Sequence, residues 1–512
     1  MKIFPASIYS AILLISIPNF LLSQDITDLY FKGDISTVPS MWKHGYLGES
    51  NSWNVGAPDG PSYGKKPTSS DNLWISGSTT AQSGFVTGWV GDMYFRDINF
   101  DLTLSASSFD LLSNIENQTI NSSGNINVNI NKINNDWTRS INILVEDDSA
   151  YKFAGDFTFS SHRATLSIIN KPDYGPDPYP VVNISKNGSF SVGGDFKINN
   201  KMNDSGQYED IVLKTNLNNF SVGGIMDLTQ KENNTIKWEL KSLVTNNTSQ
   251  ITSDVSYDSN ITLGGLRGTG SLAVTDTYAG ENGRELYIEF QNKTAEEWRG
   301  NFTNNSGVKT NVIMFGDSNG KQTLKLLTGK FDTVSVSGGT LNLYTTEANG
   351  KLIINGQNAV FGLTGYDSED FSYIEFDEVE WKNGTIKMNI IAEGMTDFIK
   401  VNGAFNVYAD SSSVLKLDLE LTAYDLNSWL EEMDAEYIDF DLISFTDTNV
   451  DVSDIVVTVD DGILCDLIVS GNYLTARLSN VPEPSTYAAL FGVFSICLSA
   501  LAKIIEGSKK TI

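Results

Sequence analysis

The chain has 512 residues, with 63 Asp and Glu against 35 Lys and Arg, a net charge of −28 and a pI near 4.4. So acidic a chain has no surplus cations to neutralise phosphates, which excludes a general nucleic-acid partner. Two cysteines (Cys465, Cys497) and two histidines (His44, His162) leave no disulfide framework and no histidine-rich metal site. No His-Glu-x-x-His, Cys-x-x-Cys or P-loop pattern occurs, so no cofactor is implied.

The N-terminus reads as an export leader. Lys2 is followed by an apolar run, Ile8–Ile17, too short to span a bilayer; Pro18 breaks it, and Leu21-Leu22-Ser23 offers a signal-peptidase site at Ser23. Residues 1–23 are thus expected to be a signal peptide, with the mature body starting near Gln24; an N-terminal anchor retained by the mature chain is the alternative. Residues 24–100 hold Trp42, Trp53, Trp74 and Trp89 with Pro39, Pro58, Pro61 and Pro67 nearby. They are expected to form a cap and first coils, because a stack needs an end that hides its first layer. A tryptophan-lined sugar platform is the functional alternative.

Residues 101–424 read as strands. Ile126, Val128 and Ile130 alternate with asparagines, and Leu415, Leu417, Leu419 and Leu421 fall on one face of Val414–Leu421. A period of two describes a half-buried strand. A faint repeat runs through them: small residues, then apolar residues at alternate positions. Gly124, Gly155, Gly194, Gly224 and Gly265 lead successive units, and Phe190-Ser191-Val192-Gly193-Gly194 is echoed by Phe220-Ser221-Val222-Gly223-Gly224 and Ile261-Thr262-Leu263-Gly264-Gly265. Units that cannot bury an apolar face alone do so by stacking. The expected fold is all-β: an elongated right-handed parallel β-helix with coils of roughly 20–25 residues, on the order of 15 coils and about 70 Å long at the inter-strand spacing. Asparagines are expected to form ladders between coils. Tandem β-sandwiches are the alternative, since they too use short strands and turns.

Residues 425–480 are expected to hold one short helix, about Leu426–Met433, opened by Asp425 or Asn427, and then closing strands. The last segment, 481–512, has three parts: the turn Val481-Pro482-Glu483-Pro484-Ser485-Thr486, an apolar run Tyr487–Ile505, and Lys509-Lys510. The run matches the roughly 17–25 residues that cross a hydrocarbon core, and the terminal lysines favour a cytoplasmic end; an ordinary C-terminal transmembrane anchor is one reading of it.

This tail, with Ala488, Ala489, Leu490 and Gly492, resembles the PEP-CTERM sorting signal of exported Gram-negative surface proteins. The resemblance implies an exosortase-type membrane enzyme that recognises Pro-Glu-Pro and removes the helix. It implies transient membrane association through 487–505, an inner-membrane intermediate, and delivery to the cell surface or extracellular matrix. The piece Gly338-Gly339-Thr340-Leu341-Asn342-Leu343 looks like the β-strand repeats of autotransporter passenger domains. That implies a parallel β-helix.

Possible chemistry rests on carboxylates. Glu375 and Asp377 would share one strand face and Glu378 and Glu380 the other, before Trp381. Such a group suits acid–base work on a glycosidic bond, Ca²⁺ ligation, or a solvated face. Asp434, Glu436, Asp439 and Asp441 form a second group. Asp447, Asn449, Asp451 and Asp454 lack the EF-hand glycine and closing glutamate. Two Gly-x-Ser-x-Gly matches, Gly60–Gly64 and Gly316–Gly320, read as turns, since no histidine follows Ser318. The expectation is a non-catalytic, structural or adhesive matrix protein, with an extracellular polysaccharide as a further partner. The alternatives are a β-helical polysaccharide lyase or hydrolase and a glycan- or calcium-binding module.

Overall fold

The computed structural model describes residues 27–480, apart from short segments and the longer ones 32–44, 202–209, 241–258 and 275–284. The expected leader with Ser23, the motif Val481–Thr486, the span 487–505, Trp42, Trp89, Gly124, His162 and the Asn-x-Ser/Thr asparagines Asn117, Asn183 and Asn187 lie outside the described residues. Among the described residues no helix is long and apolar enough to cross a membrane.

The chain is all-β, and its strands pair mainly in parallel. In one ladder Thr27–Phe31 pairs with Asp71–Thr79, then come Ile98–Leu104, Ile126–Ile133, Phe157–Ser161 and Phe196–Asn200. A second runs from Ser83–Val86 through Ser108–Leu112, Arg139–Val145 and Ala164–Asn170 to Ile211–Thr215 and Ile236–Leu240. A third runs from Met93–Phe95 through Thr119–Ser122, Ala150–Phe153 and Ser189–Val192 into Asn219–Leu228. Sandwiches pair their strands antiparallel; here most strands continue a parallel ladder.

The alternation in sequence sets which side is core. Phe157, Phe159 and Ser161 are buried while Thr158 and Ser160 are half-buried, and Leu341 and Leu343 are buried in the Gly-Gly-Thr-Leu-Asn-Leu piece. In-register parallel pairing places like on like. Phe190 therefore stacks on Phe220, ring centroids 5.5 Å apart and planes 6° from parallel. Each buried ring removes about 150–250 Å² from water. Trp53, Trp238, Trp298 and Trp381 are fully interior, whereas Trp74 is 38 % exposed and donates through Nε1 to Asp28.

The repeat glycines mark the same corner on successive rungs. Gly194 donates its N–H to Gly155 at 3.0 Å, and Gly224 to Gly194 at 2.9 Å. A Cβ on Gly193 would lie 2.6 Å from the Ala154 carbonyl oxygen, and one on Gly223 2.7 Å from that of Gly193. Beside this column runs a side-chain ladder. Asn125 accepts the N–H of Asp156, Asp156 that of Asp195, and Asp195 that of Ile225, each at 2.9 Å. Lys197 bridges Asp156 and Asp195. Asparagine ladders were the expectation; this one starts at Asn125 and continues through aspartates with an interleaved lysine.

Neighbouring rungs lie as few as 18 and as many as 44 residues apart, at Thr333–Lys351 and Ile399–Ile443. Most of these spacings exceed 25 residues, so the expected 20–25-residue coil is too short, and the corners between strands are of very unequal length. Several long strands, among them Ser259–Val274, Thr333–Tyr344 and Asn349–Leu363, turn corners without a break. Tyr373–Ala392 pairs with Phe398–Val401, Ala404–Val407 and Leu415–Glu420 in turn.

The helix spans Ala423–Met433, and its cap is Thr422, not Asp425 or Asn427. The Thr422 hydroxyl accepts the Asp425 N–H at 3.2 Å and donates back to its carboxylate, a reciprocal cap that sequence scanning for Asp and Asn overlooked. At each end of the stack a ladder is finished by an antiparallel strand: Trp53–Val55 on Thr27–Phe31, and Tyr473–Asn480 on Ile438–Ser444.

Candidate functional site

The first acidic cluster does not converge. A corner between Asp377 and Glu378 resets the alternation, so Glu375, Asp377, Glu378 and Glu380 all face outward while Ile374, Phe376, Val379 and Trp381 are buried. The expected division of these carboxylates between two faces is thus corrected. Each glutamate meets a lysine from a neighbouring rung or strand position. Lys351 reaches Glu380 at 2.5 Å and Glu378 at 3.2 Å, Lys382 reaches Glu380 at 2.7 Å, and Lys400 reaches Glu375 at 3.2 Å. Lys351 and then Lys382 hold Glu380 below the usual carboxylate range; the Tyr373 hydroxyl and then Lys400 do the same for Glu375.

The second and third clusters serve the backbone and the sheet. Asp434 ends the helix in the left-handed region at φ 51°, and Arg477 grips Asp439 through two bonds of 2.8 Å. Asn449 closes a strand end by bonding both the N–H and the carbonyl of Val407, and Asp451 caps a single 3₁₀ turn. Among the described residues no group of three His, Cys, Asp or Glu is placed to hold a metal ion. Gly316–Gly320 is a turn, with Gly320 bonded to Asp317, whereas Gly60–Gly64 only begins at one: after the Ala57–Gly60 turn, Ser62 bridges antiparallel to Asn54.

The strongest site is a groove of about 750 Å³ on the outward face of five consecutive rungs. Its floor follows from register. One row runs Lys321, Thr340, Val360, Thr385, Lys416, and the next runs Asn342, Gly362, Lys387, Asp418. The buried partners at intervening positions, Leu341, Phe361, Ile386 and Leu417, force these residues outward. Gly362 keeps the centre of the floor low; a Cβ there would meet Asn342 Oδ1 at 2.5 Å. Lys387 pairs with Glu420 at 2.5 Å, and Lys416 lies 3.9 Å from Asp418.

One wall is set by a buried carboxylate. Asp397, fully buried, accepts the Ser372 N–H at 2.9 Å, the Asn389 N–H at 2.8 Å and the Asn389 amide at 2.7 Å. Burial pushes its pKa up, against the pull of these donors. It fastens the turn after Ile391 to the strand floor at Asn389. Chemically the groove offers hydroxyls, amides, three ammonium groups and two carboxylates. Asp418 and Glu420 stand two residues apart on one face, but each has a lysine beside it, whereas a general acid must present a proton.

Sequence reading found the inward leucines of Val414–Leu421 but not their outward partners Lys416, Asp418 and Glu420 as part of a site. The available signal was the same alternation read on its other phase. Scanning protein-family models found no family that matches this chain, and no curated protein matches it.

Proposed function

We propose that the protein is an exported, elongated right-handed parallel β-helix that serves as a structural or adhesive rod at the bacterial surface or in the extracellular matrix. The observation that carries this reading is the set of parallel ladders whose inward faces are packed with stacked Phe, Ile, Leu and Val and whose outward faces carry paired Asp, Glu and Lys. Such a stack buries a continuous core with only nearest-neighbour contacts. Delivery rests on the leader ending at Ser23 and on the tail Val481–Thr486 with its apolar run, which resembles a PEP-CTERM signal. An exosortase-type enzyme is the processing partner, and polysaccharide is the matrix partner. No cofactor enters this reading.

The test is fractionation of the producing cells with mass spectrometry of the C-terminal peptide. A mature end near Pro482 in the extracellular fraction supports export and processing; an intact tail through Ile512 in the membrane defeats removal. Small-angle scattering tests the rod, since a compact radius of gyration defeats it. A second reading, a β-helical polysaccharide lyase or hydrolase, draws on Asp418 and Glu420 in the groove. New reducing ends or unsaturated products from an acidic or neutral glycan would favour it over the non-catalytic rod.

A further inference from the structure

We infer that the groove over Lys321–Glu420 binds a carboxylate-bearing polysaccharide strand, laid along the stacking direction of the rungs. This deepens, and rests on, the reading of the molecule as a polysaccharide-contacting rod.

Charge is the first argument. The whole chain carries 63 acidic against 35 basic side chains. The groove inverts that balance, with Lys321, Lys387 and Lys416 against Asp418 and Glu420. Among the described residues Lys321 has no carboxylate partner, and the nearest one to Lys416 is the loose Asp418 contact. Two ammonium groups therefore stand ready for an external anion in a molecule whose field otherwise repels one.

Geometry is the second. Lys321 and Lys416 lie on one row, separated by the rungs of Thr340, Val360 and Thr385. At the inter-strand spacing that is about 19 Å, the length of a short run of linked sugar rings. A flexible polymer with a carboxylate on each ring meets both lysines and crosses a floor of Thr340, Asn342, Thr385 and Asn389, whose hydroxyls and amides match ring hydroxyls. Gly362 gives the strand room at mid-groove, and Asp418 and Glu420 accept hydroxyl protons at one end. A peptide finds little here, because the floor presents only Val360 and the rim only Ile391 as apolar contacts with appreciable exposure.

The full-length chain would be immobilised and titrated with polygalacturonate, dextran, dextran sulfate and polyglutamate by biolayer interferometry, at low and high salt. Polygalacturonate is expected to bind and to weaken with salt. Lys321→Glu and Lys416→Glu should each weaken it at least tenfold. Gly362→Gln, which blocks the floor and leaves every charge in place, should do the same, and Lys293→Glu in an exposed turn should not. Circular-dichroism melts of all variants confirm folding, and Lys321→Gln replaces any that fails. Equal binding of dextran, equal binding of dextran sulfate that ignores Gly362→Gln, or equal binding of polyglutamate would each overturn the proposal. Scattering on the same samples separates the two readings: an extended particle that ignores polygalacturonate sinks this inference alone, and a compact particle sinks the rod.

Discussion

The ring of Phe157 lies flat on that of Phe196, centroids 4.6 Å apart and planes 11° from parallel, and the two residues are direct partners on successive parallel rungs. Phe196 also meets Phe190 and Phe220 edge-on, so it closes an aromatic column through the interior. Phe196→Ala is expected to cost about 3–5 kcal/mol, the range for emptying a packed aromatic site. Phe196→Leu should cost distinctly less. Urea unfolding followed by circular dichroism measures both, and equal midpoints for the two variants would contradict the stacking argument.

Gly223 offers a test of the glycine column. Its missing side chain lets the Gly193 carbonyl approach, and a Cβ would lie 2.7 Å from that oxygen. Gly223→Ala should destabilise by about 1–3 kcal/mol, as overpacking does. Gly471→Ala, in an open turn with nothing within 4 Å but a φ of +59°, should cost only its backbone strain, about 1 kcal/mol. Thermal melts of the pair give the comparison.

The parts of this architecture that sequence made legible are the periodic ones. The Phe-Ser-Val-Gly-Gly units stand directly on one another because one unit is one rung, and repetition in the chain becomes repetition in space. Coil length was less legible, because corner loops vary freely while the strands between them hold register. The phase of the Glu375–Glu380 cluster was misread because a corner at Asp377–Glu378 adds one outward residue, and no glycine or proline in the sequence announces it. The groove was hidden for another reason. Lys321, Thr340, Gly362, Thr385 and Lys416 belong to five rungs, and none is distinctive alone; only register brings them into line.

Asp397 should make stability depend on pH in an unusual direction. Its carboxyl is pushed above its ordinary value by burial, so the folded state holds the proton more tightly than the unfolded chain does. Its stabilising contribution is full below the unfolded value and is lost as pH rises through the folded one. Asp397→Asn lacks this linkage. The stability gap between wild type and variant, from urea titrations, is therefore expected to be wider at pH 4 than at pH 7. A gap that narrows on acidification would refute the assignment.

Glu296 is nearly enclosed, its side chain 2 % exposed, and Arg267 reaches both its oxygens at 2.7 and 3.1 Å while Thr294 donates at 2.8 Å. Removing one partner of a fully buried pair costs about 3–5 kcal/mol. Arg267 remains 46 % exposed and can rehydrate, so Glu296→Gln should cost less, about 2 kcal/mol. A double-mutant cycle with Arg267→Met measures the coupling, and a value near zero would mean that solvent screens the pair completely.

The antiparallel strand Trp53–Val55 and the antiparallel pair Tyr473–Asn480 and Ile463–Ser470 cover two ladder ends. An open parallel edge is a template on which a further copy can grow; an antiparallel strand laid on it takes up the edge of the ladder that it covers. A molecule finished this way lengthens from within. Duplicating one interior unit would add about 4.8 Å along the ladders and leave both covered ends as they are.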